Sequence, residues 1–187
     1  MCGRLNVIDD PLNRLVSEMF GIRFTARTNH DLRPTQTVAT VAVSHGEVGQ
    51  LDLIWGTQPY WAKSLIMNAQ AETVAVKATF AAAFEQHRVV VPCSGWYEWR
   101  EEQGKKHKFH FASRHDDVLY MAGIVLENGQ RLVTLTTSAN PECRDYHARM
   151  PLLIQPQAAM TWIAGHPEQF FALLTEVYAQ PLAIRAE

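Results

Sequence analysis

The chain opens Met-Cys-Gly-Arg, and Cys2 is the first residue whose position asks for chemistry. Cysteine is small, so ordinary methionine excision would leave Cys2 with a free α-amine and a thiol on adjacent carbons. The amine titrates near 7.7–8.0 and the thiol near about 8.5, so both are partly reactive around neutrality. An amine condenses with an aldehyde to an imine, as Schiff-base lysines do. The neighbouring thiol then adds to the imine carbon and closes a five-membered thiazolidine ring. An N-terminal cysteine is therefore an aldehyde trap. The plain alternative is a cysteine that is merely exposed or merely packed.

Three further stretches carry groups suited to proton transfer or binding. In "GWYEWR", strand alternation puts Trp96, Glu98 and Arg100 on one face and Tyr97 and Trp99 on the other. A carboxylate beside an indole on a partly buried face has its pKa raised by desolvation, with Arg100 positioned to oppose the shift. A raised pKa is what an acid–base glutamate requires. The competing reading pairs Glu98 with Arg100 or with a lysine of "GKKHK" at the rim. In "DYHARMPLL", His147 offers a proton shuttle and Arg149 a fork for phosphate or carboxylate, against a capping histidine and a surface arginine. In "MNAQAET", Asn68 can orient a carbonyl, an amine or a backbone group. It can equally form a turn, with Glu72 and Thr73 leading into the next helix.

Trp55, Tyr60, Trp61 and Trp96 offer stacking surfaces for unpaired bases, but at least half of them are expected in the core. The three cysteines, Cys2, Cys93 and Cys143, show no C-x-x-C spacing and are too few for a disulfide framework. A reducing, cytoplasmic setting follows. No metal-ligand spacing stands out among the histidines, so no metal and no cofactor is expected.

These residues need elements to hold them. "DDPLNRLVSEMFG" reads as a helix capped at Asp10, with Pro11 in its first turn and Gly21 at its stop. "TARTNHDLRPTQ" reads as a loop, and "TVATVAV" with "EVGQLDLIWG" as a hairpin around Ser44-His45-Gly46. "GTQPYWAKSLIMNAQAET" lacks a period and reads as an ordered loop, followed by a helix over 74–87. From Arg88 the runs "RVVVPC", "GWYEWR", "KFHFAS", "VLYMAGIV" and "RLVTLTT" read as strands separated by turns. "NPECRDYH" suggests a helical turn and "MPLLI" a strand, while "QAAMTWIAG" and "PEQFFALLTEVYA" suggest helices. Consecutive strands with short turns argue for an antiparallel sheet, curled toward a barrel, with helices outside: an α+β class. Residues 1–187 are expected to form a single domain and to act as a monomer.

With 187 residues and 47% hydrophobic content, a substantial core is available. The formal net charge of −2 excludes a broad basic field, so any nucleic-acid binding must use a local positive groove. No run approaches the roughly 18 apolar residues of a membrane-spanning helix, so no membrane partner is expected.

Together the pieces resemble the SOS response-associated peptidase (SRAP) family, proteins that process abasic sites in single-stranded DNA. The matching motifs are "CGR", "WG…P.W" at Trp55–Trp61, "NA.AET" at Asn68–Thr73, "GWYEW", "TT.AN" at Thr136–Asn140 and "H.RMP" at His147–Pro151. The resemblance implies an antiparallel β pseudo-barrel with peripheral helices. It implies that a mature N-terminal Cys2 crosslinks to the ring-opened aldehyde of an abasic deoxyribose, with autopeptidase removal of Met1 and lyase chemistry at the sugar. Asn68 would orient the amine, Glu98 would shuttle protons, and His147 would be the second acid–base group. Arg4, Trp61 and Arg149 would hold a kinked single strand, with Pro34 in a bordering loop, and the protein would join the nucleoid when bound. The chain departs from the family in carrying Gln70 where arginine is common, in reading "DLRP" in its first loop, and in the tail "YAQPLAIRAE". Two other readings compete: an N-terminal-nucleophile amidase or peptidase acting on an external substrate, and a non-catalytic module for single-stranded or modified DNA.

Overall fold

The computed structural model describes residues 2–187. In chain order its elements are β1 (Leu5–Val7), α1 (Asp9–Phe20), β2 (Asn29–Leu32), β3 (Thr37–Ser44), β4 (Glu47–Trp55), β5 (Asn68–Gln70), α2 (Ala81–Gln86) and β6 (Arg88–Cys93). There follow β7 (Gly95–Glu102), β8 (Lys105–Ser113), β9 (Leu119–Leu126), β10 (Arg131–Ser138), β11 (Arg149–Pro151) and β12 (Leu153–Ile154). A short 3-10 turn then leads into α3 (Ala159–Ala164), α4 (Pro167–Leu173) and β13 (Leu182–Ala186). Among the described residues no helix is long and apolar enough to cross a membrane.

The fold is mostly β with few helices, in two sheets. One runs β13-β8-β7-β1-β2; the other runs β11-β10-β4-β3-β6-β9-β12, with β5 on β10 and a further β10–β9 pairing. The pairings therefore return from β9 to β10 and make a ring of strands, which is not formally a closed barrel. Most pairs are antiparallel, as expected. Two on β10, those with β4 and β5, are parallel. Parallel neighbours need a long crossover, and the segment between Trp55 and Arg131 supplies it.

Local chemistry explains the elements that the sequence announces. Asp10 is extended (φ −114°, ψ 125°), as a residue before proline prefers, so the regular helix starts at Pro11. Leu12, Val16 and Phe20 form its buried stripe, and Gly21 ends it in the left-handed region at φ 64°. The β3–β4 hairpin turns on His45 and Gly46, both at positive φ, and keeps register from Thr37↔Ile54 to Ser44↔Glu47.

Other stretches differ from expectation. The segment expected as one loop contains β2, which pairs with β1. The helix expected over 74–87 shrinks to α2, since β-branched Val74, Val76 and Thr79 lose rotamer freedom in a helix and weaken its first part before the alanines. The last expected helix stops at Leu173, and the tail forms β13, in register with β8 from Leu182↔Ser113 to Ala186↔Phe109.

The core holds Trp55, Trp96, Trp162, Phe84 and Phe111 with essentially no exposure. Trp96 stacks on Phe111 with ring centroids 4.8 Å apart, fastening β7 to β8. Trp55 and Trp96 are thus structural, while Tyr60 and Trp61 stand at the surface. Gly95, which opens β7, has no space for a side chain: a Cβ there would lie 2.3 Å from the Phe111 carbonyl oxygen and 2.5 Å from His110 Nε2. Gly95→Ala should cost about 1–3 kcal/mol by overpacking. An unchanged urea midpoint would refute this account of the β7–β8 contact.

Candidate active site

Cys2 reaches the site because its segment continues β1 along β7. Leu5 pairs with Trp96, and the Tyr97 N–H donates to the Arg4 carbonyl at 3.0 Å. Extending this antiparallel register carries Cys2 toward the Glu98 end of β7. Cys2 is 1% exposed. Burial holds its thiol well above the usual range, with the charge of Glu98 and then Cys93 pushing the same way. The sulfur is therefore kept as a neutral thiol until something changes around it.

Asn68 contacts the same residue from the other sheet. Its Nδ2 donates to the Cys2 carbonyl oxygen at 3.0 Å, and its Oδ1 accepts the Thr134 hydroxyl at 2.7 Å. The parallel β5–β10 register sets Asn68 beside Thr134 and so fixes which way the amide faces. Asn68 thus orients the Cys2 backbone at its carbonyl, and this bond ties the N-terminal segment to the strand ring.

Glu98 is 3% exposed on β7. Burial raises its carboxyl pKa, and the charge of His147 pulls it back. Arg100, expected to be the opposing charge, instead pairs with Glu102 and donates to the Asp145 carbonyl at 3.3 Å. Its guanidinium also lies over Phe109 and Tyr146, 4.9 and 4.8 Å from the ring centroids. It braces the turn that carries His147.

That turn is built on Asn140, whose Oδ1 accepts the Cys143 N–H at 3.0 Å, while the His147 N–H donates to the Cys143 carbonyl at 3.1 Å. His147 Nδ1 then faces the main chain of Arg149 twice. The Arg149 N–H lies 3.0 Å from Nδ1, and so does the Arg149 carbonyl oxygen. Nδ1 accepts from the N–H when it carries no proton and donates to the carbonyl when it does. The Arg149 backbone therefore offers Nδ1 a partner in either case and fixes the plane of the ring.

The residues expected to hold a strand are more dispersed. Arg4 pairs with Asp31 at 2.6 Å and lies 5.5 Å from the Trp99 ring centroid. Arg33 and then Arg4 hold the Asp31 carboxyl below its usual range. Arg149 forms a two-pronged pair with Glu72, Nη1 to Oε1 and Nη2 to Oε2, each at 2.8 Å. Of the two anions suggested for Arg149, the structure holds the carboxylate. Pro34 is half-buried in the turn after β2, beside Thr35 at φ 75°. Trp61 is 55% exposed and Tyr60 wholly so.

Thr134, which lies outside every motif singled out above, shares one face of β10 with Thr136, the first residue of "TT.AN". The first holds Asn68, and the second accepts Arg149 Nη2 at its carbonyl at 2.8 Å. Their two-residue spacing in "RLVTLTT" was the available signal. Cys93 and Cys143 are buried thiols pushed up to about 12, and among the described residues no cluster of His, Cys, Asp or Glu is gathered for a metal ion.

Cys2 is thus buried, held at its carbonyl by an amide from the strand ring and close enough to the Glu98 carboxylate of β7 to feel its charge. The profile of the SOS response associated peptidase (SRAP) family matches residues 1–186, and the chain belongs to that family. Among its relatives is the abasic site processing protein YedK of Escherichia coli (strain K12), 30% identical over 118 residues. That match covers 59% of this chain and 53% of the relative, so it spans about half of the relative's length. The abasic site processing protein YoqW of Bacillus subtilis (strain 168) is 26% identical over 180 residues, covering 87% of this chain and 80% of its own. Two crystal structures from Bordetella bronchiseptica share the fold. One has a TM-score of 0.81 at 22% identity, covering 100% of this chain and 99% of its own. The other, a phage-related protein, has a TM-score of 0.83 at 20% identity, covering 100% and 94%.

Proposed function

We propose that this chain captures abasic sites in single-stranded DNA by a covalent thiazolidine link through Cys2, once Met1 has been removed. The observation that carries the reading is the Asn68 Nδ2 bond to the Cys2 carbonyl, which holds the reacting residue in a buried site that it shares with Glu98. Relatives that are abasic site processing proteins supply the substrate class.

The Cys2 amine adds to the C1′ aldehyde of the ring-opened sugar, and loss of water gives the imine. The thiol adds to the imine carbon, its proton passing to the nitrogen as the ring closes. Glu98, with its raised pKa, relays protons in both steps and assists removal of Met1. His147 is the second acid–base group, helping to open the sugar or to reverse the link. Holding the aldehyde beside the amine makes the condensation effectively intramolecular.

Arg4, Trp61 and Arg149 border the strand, with Pro34 at its edge. Trp61 supplies a base-stacking surface, so Trp61→Ala should weaken single-stranded DNA binding by about 1–3 kcal/mol, irrespective of sequence. Fluorescence anisotropy with an intact oligonucleotide measures it, and equal affinity would remove Trp61 from the interface.

The direct test incubates the protein with single-stranded DNA carrying one abasic site and resolves the products on a denaturing gel. A retarded band that needs the abasic site supports capture. Absence of the band, with mass spectrometry showing Met1 gone, would refute it and leave the amidase and binding-module readings.

A further inference from the structure

The Glu72–Arg149 pair joins the two arms of the site. Glu72 lies four residues after Asn68, just beyond β5, and Arg149 lies two residues after His147, at the start of β11. Both Glu72 oxygens are engaged by the Arg149 fork at 2.8 Å. Nη2 also donates to the Thr136 carbonyl at 2.8 Å, so one guanidinium fastens the end of β5, β10 and β11 together. The side chain is held on the same residue whose main-chain N–H and carbonyl lie 3.0 Å from His147 Nδ1. Fixing the Arg149 side chain therefore restrains the backbone that orients the imidazole. A two-pronged carboxylate–guanidinium pair does this better than a point charge, because its planar geometry leaves little rotational freedom.

We propose that Glu72 is a positioning residue for His147: through Arg149 it holds the imidazole in place against the Arg149 main chain and so fixes where the ring stands in the site. This rests on the crosslinking reading above and extends it to a residue that does not touch the reacting atoms. The Arg149 fork also holds the Glu72 carboxyl below its usual range, so the pair stays ionised through the neutral region.

The test is single-turnover crosslinking of an abasic oligonucleotide by excess protein, with wild type, Glu72→Gln and Glu72→Asp compared. The limiting rate and the half-saturating protein concentration are read separately. A misplaced group costs about tenfold to a hundredfold in rate, so Glu72→Gln should lower the limiting rate by that much, whatever freeing the Arg149 fork does to half-saturation. Glu72→Asp, which keeps the charge, should recover part of the loss. In parallel, NMR of the DNA-free protein should show the His147 ring signals shifted and broadened in Glu72→Gln, as expected of an imidazole that is no longer held in one place. An unchanged limiting rate, a change confined to half-saturation, or unchanged His147 ring signals would each overturn the inference. If wild type forms no crosslink, the crosslinking reading fails instead, and the NMR comparison still decides whether Glu72 holds the ring. Should Glu72→Gln not fold, Glu72→Asp carries both measurements, with a smaller loss of rate and a smaller change of the ring signals expected.

Discussion

Cys2→Ala should abolish the denaturation-resistant adduct with abasic single-stranded DNA while leaving non-covalent binding in place. Alanine is small enough to permit Met1 removal, so the variant keeps an N-terminal amine and loses only the sulfur. Its amine still forms an imine with the sugar aldehyde, but without the thiol no ring closes and the imine hydrolyses on denaturation. Borohydride should therefore rescue a band for Cys2→Ala by reducing the imine to a stable secondary amine, and wild type should need no reductant. This pattern separates the two nucleophiles. A stable adduct from Cys2→Ala without reductant would place the chemistry elsewhere. Loss of all DNA binding would instead make Cys2 a packing residue, a role that its 1% exposure makes physically reasonable. The intact fold of the variant is checked by circular dichroism.

The second large effect is expected at Glu98, with opposite signs for rate and stability. Proton transfer by a positioned carboxylate contributes about a hundredfold to ten-thousandfold, so Glu98→Gln should slow crosslinking by a factor in that range. Stability moves the other way. Burial raises the Glu98 pKa in the folded protein, so folding favours its protonated form. The stabilisation from that form is complete below the unfolded value of about 4.3 and is lost as pH rises through the raised folded value. Glutamine is neutral throughout and carries no such loss. Glu98→Gln should therefore melt higher than wild type at pH 7, with the gap narrowing as the pH falls toward 4. Thermal melts across this range check the sign. A variant less stable than wild type at pH 7 would mean that the ionised carboxylate is net stabilising in place, which would contradict its role as a raised-pKa acid. A buried charge of this kind is a common trade of stability for function.

The longer strands were legible because local preference and tertiary outcome agree. The β-branched and aromatic runs of β6, β9 and β10, and the positive-φ turn at His45-Gly46, would form extended pairs in almost any context. The shorter elements were not. β1 and β5 have three residues each and β2 four, too few for a period to show; β1 and β5 exist because a longer neighbour offers a ladder, and β2 adds to the edge that β1 leaves. The parallel β5–β10 pairing is of this kind. Without it, Asn68 would be one more turn asparagine.

For the site, the covalent structure of the chain determined one thing outright. A cysteine behind the initiator methionine becomes, once exposed, an amine and a thiol on adjacent carbons, and that chemistry needs no fold. The spaced motifs also named Asn68, Glu98 and His147 as residues to watch. What each would touch was decided by tertiary structure. Asn68 meets the Cys2 carbonyl, not its amine, because the β5–β10 register sets the direction of its amide. Arg149 meets Glu72 because β10 pairs with both β5 and β11 and so brings the start of β11 beside the segment after β5. Burial raises Glu98 and the Cys2 thiol, and burial is a property of the packed sheets, not of any window of sequence. Side-chain type sets which reactions are available, whereas desolvation and partner geometry, both products of long-range contacts, set which protonation states the groups hold.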